Sequence, residues 1–172
     1  MTGVEPEAGA RSGARAPYGL EIHSPEHLFT LPEATFNAIT LWHVLEHVHD
    51  LHGYVEQLRK LLHPGGHIYL AVPNYTCLDE KMYGPYWAAY DVPRHLYHFS
   101  PDAMKAVLSA HGLQLLDTRA MLLDPFYICL LSEQYKYGKS HFLRGCWNGL
   151  RSCLHAIADK NTASSILYVI SR

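Results

Sequence analysis

Apolar and polar positions along the chain fall into two rhythms, one helical and one strand-like. Leu51, Tyr54, Val55, Leu58, Leu61 and Leu62 recur at helical spacing and form one apolar stripe. Asp50 stands where a carboxylate caps the first turn, and Pro64-Gly65-Gly66 stops the helix. HIYLAVP at 67–73 is almost continuously apolar, the mark of a strand covered on both faces. FNAITLW at 36–42 is rich in β-formers and predicts another strand. Ser100-Pro101-Asp102 opens a second helix with cap and first-turn proline in place, and Gly112 closes it. Residues 113–123 read as strand, 126–137 and 142–158 as helices, and SSILYVI at 164–170 as a last strand. The first 35 residues are weaker: short strands at 2–6 and 20–24, an Ala-rich helix at 7–16 interrupted by Gly9 and Gly13, then loop with a helical turn.

Strands alternating with helices predict an α/β fold around a parallel sheet, with right-handed crossovers. Residues 75–99 are aromatic and irregular, and no internal repeat or low-complexity tract is visible.

Composition narrows the function. With 172 residues, 48% apolar and 17% charged, the chain has enough material for one core. Lys+Arg is 14 against 16 Asp+Glu, so no net positive charge is available to hold a polyanion, and nucleic acid is not an expected partner. No apolar run reaches the ~20 residues of a membrane span. The start, MTGVEPEAG, lacks a basic region followed by an apolar stretch, so a secretory signal is not expected. The four cysteines have no CxxC spacing and read as reduced thiols of a cytoplasmic protein. Thirteen histidines bring the change of net charge close to neutral pH.

His43-Val44-Leu45-Glu46-His47 spells H-x-x-E-H, an inverted zinc motif. That chemistry needs both histidines on one face of a long helix and a third ligand. A strand directly precedes His43 and Gly53 soon interrupts the helix, so no resident metal is expected.

Three longer segments point elsewhere. FNAITLWHVLEHVHD, LLHPGGHIYLAVPN and YWAAYDVPRHLYHFSPDAM resemble the class I S-adenosylmethionine-dependent methyltransferases, in particular the bacterial methyltransferase-domain proteins similar to ubiquinone-type O-methyltransferases. The resemblance runs from about residue 3 to about residue 116. It implies a Rossmann-like α/β methyltransferase sheet, S-adenosylmethionine as cofactor and a small-molecule acceptor. It also implies that residues 75–99 form an aromatic insertion able to roof the substrate site. Residues 124–160 read as a further helical insertion, either a cap or partner surface or simply a cover for the sheet.

The resemblance assigns roles residue by residue. Glu5, in Gly3-Val4-Glu5-Pro6, matches the acid that accepts both ribose hydroxyls, a task suited to an acceptor-only carboxylate; the plain alternative is a solvated acid. Leu41, Trp42 and His43 match the strand end whose backbone faces the methionine part of the cofactor, although Trp42 reads equally well as core. For a hydroxyl acceptor, His47, His95 and His98 are the candidate bases. Trp87, Tyr90 and Arg94 are the candidate substrate contacts, with Arg94 suited to a carboxylate or phosphate unless it simply pairs with Asp91 across a turn.

One part of the family pattern has no match: the first strand and its Gly-rich loop, which would precede Gly3. The sheet is therefore expected to be truncated at its amino-terminal side. The segment at 2–6 would then pair directly onto FNAITLW, borrow a strand from another copy, or attach loosely. An exposed sheet edge would promote pairing between copies. The alternative to a methyltransferase is a catalytically inactive fragment or degenerate module that keeps the fold for interaction.

Overall fold

The structure is a computed structural model, and it describes residues 1–18, 21–139 and 141–172. Six strands and six α-helices alternate in it: β1 Thr2–Val4, α1 Ala8–Tyr18, β2 Glu21–His23, β3 Phe36–Trp42, α2 Leu51–Leu61, β4 Leu62–Pro73, α3 Leu78–Tyr83, α4 Pro101–Ala110, β5 Gln114–Ala120, α5 Asp124–Tyr137, α6 Phe142–Ala158 and β6 Ser165–Ser171. Residue 20, the start of the strand expected at 20–24, lies outside the described residues, as does residue 19.

The helix starts follow their caps. Asp50 accepts the Gly53 N–H at 2.9 Å and opens α2, and Ser100 accepts the Ala103 N–H at 3.1 Å and opens α4. Leu51, Val55, Leu58 and Leu61 turn the stripe of α2 inward.

The main sheet has four strands in the order β3-β4-β6-β5. It is mixed, not parallel as expected: β3 and β4 run parallel, while β6 is antiparallel to both β4 and β5. The reason lies in the connections. One helix between two strands returns the chain to the same end of the sheet, as α2 does between β3 and β4. Two helices in a hairpin, α5 and α6, return it to the opposite end. β4 also begins earlier than the 67–73 run, because Leu62 pairs with Phe36 before the register shifts and resumes at Ala38 opposite His67. Gly66 permits the approach there, since a Cβ would lie 2.9 Å from the Asn37 carbonyl oxygen.

Ile68, Leu70, Ala71 and Val72 of β4 are buried, and with Leu45, Met104, Tyr168 and Ile170 they make the principal core. A smaller core lies beside it, where Cys77, Tyr83, Trp87 and Ala88 meet Ile128 and Cys129 of α5. Its polar centre is Asp79, which is fully buried. Asp79 accepts hydrogen bonds from Trp87 Nε1, Ser152 Oγ and Ser164 Oγ, each at 2.7 Å. Those three donors tie α3, α6 and the start of β6 together.

β1 and β2 form a separate two-stranded parallel sheet, so β1 does not pair onto β3. Among the described residues no strand borders the outer edge of β3. A largely apolar slot of about 490 Å³ separates β1 from β3, lined by Gly3, Val4, Leu28, Ile39, Leu41 and Tyr54 among others.

Candidate active site

The chain turns sharply where β3 ends. His43 takes a left-handed backbone, φ 53°, and its N–H bonds the Ala71 carbonyl of β4 at 2.9 Å. A 3-10 turn over Leu45–His47 follows, with Leu45 and Glu46 fully buried. This conformation separates the two histidines of the HVLEH segment, which do not share a helix face.

The His43 ring is clamped between two acids. Nε2 lies 3.3 Å from Asp124 Oδ2 at the start of α5, and Nδ1 lies 3.3 Å from Glu46 Oε1. Asp124 first and Glu46 second raise the His43 pKa to about 9 against the opposing effect of burial. His43 is therefore an imidazolium at neutral pH and not a resting base. The Asp124 carboxyl, pushed up by burial, is drawn below its usual range by His43 and Ser165.

Glu46 differs from other buried acids of the chain. No hydrogen-bond donor among the described residues reaches either of its carboxylate oxygens. Its His43 contact is off hydrogen-bond geometry, and His95 Nε2 lies 4.0 Å away. The carboxylate helps line a cavity of about 650 Å³ together with His43, Asp91, Arg94, His95 and Asp124, with Tyr127 and Tyr135 of α5 on another wall.

His95 is held by a backbone carbonyl. Its Nδ1 lies 2.8 Å from the Ala89 carbonyl oxygen, which can only accept. Nδ1 therefore carries a hydrogen, and Nε2 lies on the side of Glu46 and Asp91, 4.0 Å from each. His47 is fixed in the same way by the Arg94 carbonyl at 3.0 Å, and its ring meets His95 edge-on at 4.6 Å. One ligand atom each from Glu46, His47 and His95 lie within 4.8 Å of one another, close enough to share a metal ion. This set differs from the H-x-x-E-H reading, because His43 is taken by Asp124.

The structure brings His43, Arg94 and His95 of the expected residues to the cavity wall. Arg94 is also paired with Asp91 at 2.7 Å across the turn. His98 sits behind the cavity against the Tyr90 ring, its pKa lowered by burial and then by His95. Trp87 belongs to the small core through Asp79, and Tyr90 donates to Glu80 at 2.9 Å. Leu41 faces the slot and core, whereas Trp42 is exposed and not core. Glu5 lies one residue beyond β1, accepts the Glu7 N–H at 2.9 Å, and belongs to neither the slot nor the cavity wall. Asp124 and Tyr127 did not stand out in the sequence, and Tyr135 did so only as part of a possible cap or partner surface. The signal for Glu46 was an acid among the apolar Val44, Leu45 and Val48.

A model of the methyltransferase domain matches residues 1–118. The chain belongs to that family. It is 31% identical over 121 residues to a ubiquinone biosynthesis O-methyltransferase of Xanthomonas axonopodis pv. citri, covering 67% of this chain and 50% of that protein. A homologue of the same name from Xanthomonas oryzae pv. oryzae is 30% identical over 124 residues, covering 69% and 51%. The chain thus spans about half the length of the curated relatives it matches. An S-adenosylmethionine-dependent methyltransferase from Archaeoglobus fulgidus superposes with a TM-score of 0.58 at 15% identity, over 99% of this chain and 75% of the other. Phosphoethanolamine N-methyltransferase 2 of Haemonchus contortus, solved with S-adenosyl-L-methionine, gives 0.58 over 99% and 43%. The cyclase SpnF gives 0.61 at 12% identity, over 98% and 64%, so the fold also carries other chemistry.

S-adenosylmethionine is the cofactor of this methyltransferase family, and the residues present suit it. Glu5, one residue beyond β1, carries an acceptor-only carboxylate of the kind that suits adjacent ribose hydroxyls. At the tip of β3, Glu46 offers a buried negative charge without a donor, suited to a cationic sulfonium nearby.

Proposed function

We propose that the protein acts in methyl transfer from S-adenosylmethionine to a small-molecule acceptor held in the His43–Glu46–Asp124 cavity. The observation that carries this reading is Glu46, a residue of the cavity wall whose carboxylate is fully buried and lacks a hydrogen-bond donor among the described residues. The cofactor, when bound, supplies an electrophilic methyl carbon on a positively charged sulfur. Glu5 and the backbone of Leu41, Trp42 and His43 would hold it. His43, locked by two acids, fixes the position of Glu46 rather than moving a proton. His95, through Nε2, takes the proton of an acceptor hydroxyl, and His47 buttresses it. Arg94 reaches the cavity from the exposed side and suits an acidic group on the acceptor. The walls from α5 and residues 88–95 exclude water from the reacting atoms. The ubiquinone-type relatives make an oxygen the expected methyl-accepting atom. The free thiols and the absence, among the described residues, of any helix long and apolar enough to cross a membrane agree with a cytoplasmic site of action.

Calorimetric titration with S-adenosylhomocysteine tests cofactor binding. Saturable heat that is lost in Glu5→Ala supports the reading, and no heat at millimolar ligand overturns it for this chain. The second reading, an interaction module without catalysis, is favoured by the slot between β1 and β3, which leaves the cofactor side of the sheet open. It predicts no such heat.

A further inference from the structure

Helix α6 is packed inside out. Its buried face carries only small residues: Gly145, Gly149, Ser152 and Ala156. A Cβ on Gly145 would lie 2.8 Å from Leu130, and one on Gly149 would lie 2.9 Å from the Phe126 Cα, so α5 and α6 touch nearly backbone to backbone. The large apolar side chains point outward instead. Leu143, Trp147, Leu150, Leu154 and Ile157 are all exposed, Leu143 to 83%. Their spacing of four and three residues aligns them in one stripe along the helix. Among the described residues nothing covers this stripe.

Charge is distributed to match. From Lys136 to Lys160 the chain has five Lys+Arg and a single acid, Asp159, against nine and fifteen in the remainder. α6 itself contains no acid. Arg144, Arg151 and His155 follow one another along one edge of the stripe, and Lys139 is exposed just before the helix. Arg144 stacks on the Tyr137 ring at 3.9 Å and pairs with Glu133, which fixes it at that edge.

We propose that α6 docks this protein onto an anionic phospholipid surface, lying in the interface with its Leu/Trp/Ile stripe among the acyl chains and its basic edge at the headgroups. An apolar stripe, an aromatic near one end and flanking cations on a helix that itself contains no acid are what such a surface recognises, with Arg151 and Lys139 the cations not taken up by Glu133 as Arg144 is. A second copy of the chain fits less well, because pairing α6 with itself would bring basic edges together with no acid on either helix to answer them. The inference does not depend on the methyl-transfer reading: α5 stands between the stripe and the cavity, and docking is read without activity.

The test is flotation of the chain with vesicles of phosphatidylcholine alone and with phosphatidylglycerol added. Binding to the anionic vesicles, weakened by high salt, is expected, with little binding to the neutral ones. Because both side chains are exposed, Leu143→Glu/Leu154→Glu leaves the far-ultraviolet circular dichroism unchanged and cuts the bound fraction about tenfold or more. Arg151→Glu cuts it several-fold. Equal binding to both vesicles, retention by the double variant, or no binding would each overturn the proposal. So would a dimer in sedimentation that the double variant dissolves while the wild type ignores vesicles, the result that assigns the stripe to a second copy.

Discussion

Asp79 and Glu46 are both fully buried carboxylates, and their surroundings are opposite. Asp79 receives three hydrogen bonds at 2.7 Å from Trp87, Ser152 and Ser164, whereas neither oxygen of Glu46 receives one. Burial of a charge is costly, and hydrogen bonds are the usual compensation. Asp79 therefore belongs to the architecture: it binds α3, α6 and β6 around the small core. Glu46 keeps its cost, offset by the His43 imidazolium beside it. On the methyl-transfer proposal, an acid left in that state in a cavity wall favours a cationic ligand beside it. The difference separates an acid that holds the fold from one to which the methyl-transfer proposal gives a part in the chemistry.

The contrast can be broken from the Asp79 side first. Asp79→Ala leaves three donors unpaired in a dry site. At roughly 1–3 kcal/mol for each unsatisfied group, a loss of about 4 kcal/mol in urea unfolding is expected. Glu46→Gln should behave in the opposite way. It keeps the shape, removes no hydrogen bond, and should leave unfolding within about 1 kcal/mol of wild type. Cofactor-dependent methyl transfer should fall about 100-fold, measured by release of S-adenosylhomocysteine. Equal loss of stability in both variants would erase the distinction.

A smaller effect belongs to the clamp itself. The raised His43 pKa means that its contribution to stability is fully present below 6.5 and is lost as pH rises through about 9. His43 is partly exposed, so solvent screening reduces that contribution to roughly 1 kcal/mol. Unfolding followed across that range should show the decline, and His43→Gln should flatten it. The smallest structural effect is expected from Arg94→Ala. Its side chain is largely exposed, so stability should change by less than about 0.5 kcal/mol. The KM of an acidic acceptor should rise several-fold.

Much of the fold was legible because its signals are local. Asp50 and Ser100 announce α2 and α4 as caps, and the 36–42 and 142–158 segments match β3 and α6 residue for residue. The sheet direction was harder, since it depends on counting two helices between β5 and β6 as a hairpin. The early start of β4 depends on Leu62 finding Phe36, a pairing that no local pattern announces. The site was partly legible. His43, Arg94 and His95 could be named from the family-like segments. Asp124 could not, because it meets His43 only after the chain has passed through α4 and β5. Trp87 and Tyr90 looked like substrate walls because aromatic composition does not reveal which ring an acid such as Asp79 or Glu80 holds inward.

The contact of α5 with α6 leaves the hairpin a one-sided freedom to vary. At Gly145 and Gly149 even a methyl group meets a neighbour at under 3 Å, so substitutions that add bulk there wedge the two helices apart. On the opposite side almost any side chain can be accommodated without disturbing the packing. In a randomised library of α6, inward positions should return almost unchanged, while outward ones should drift freely unless something beyond folding selects them.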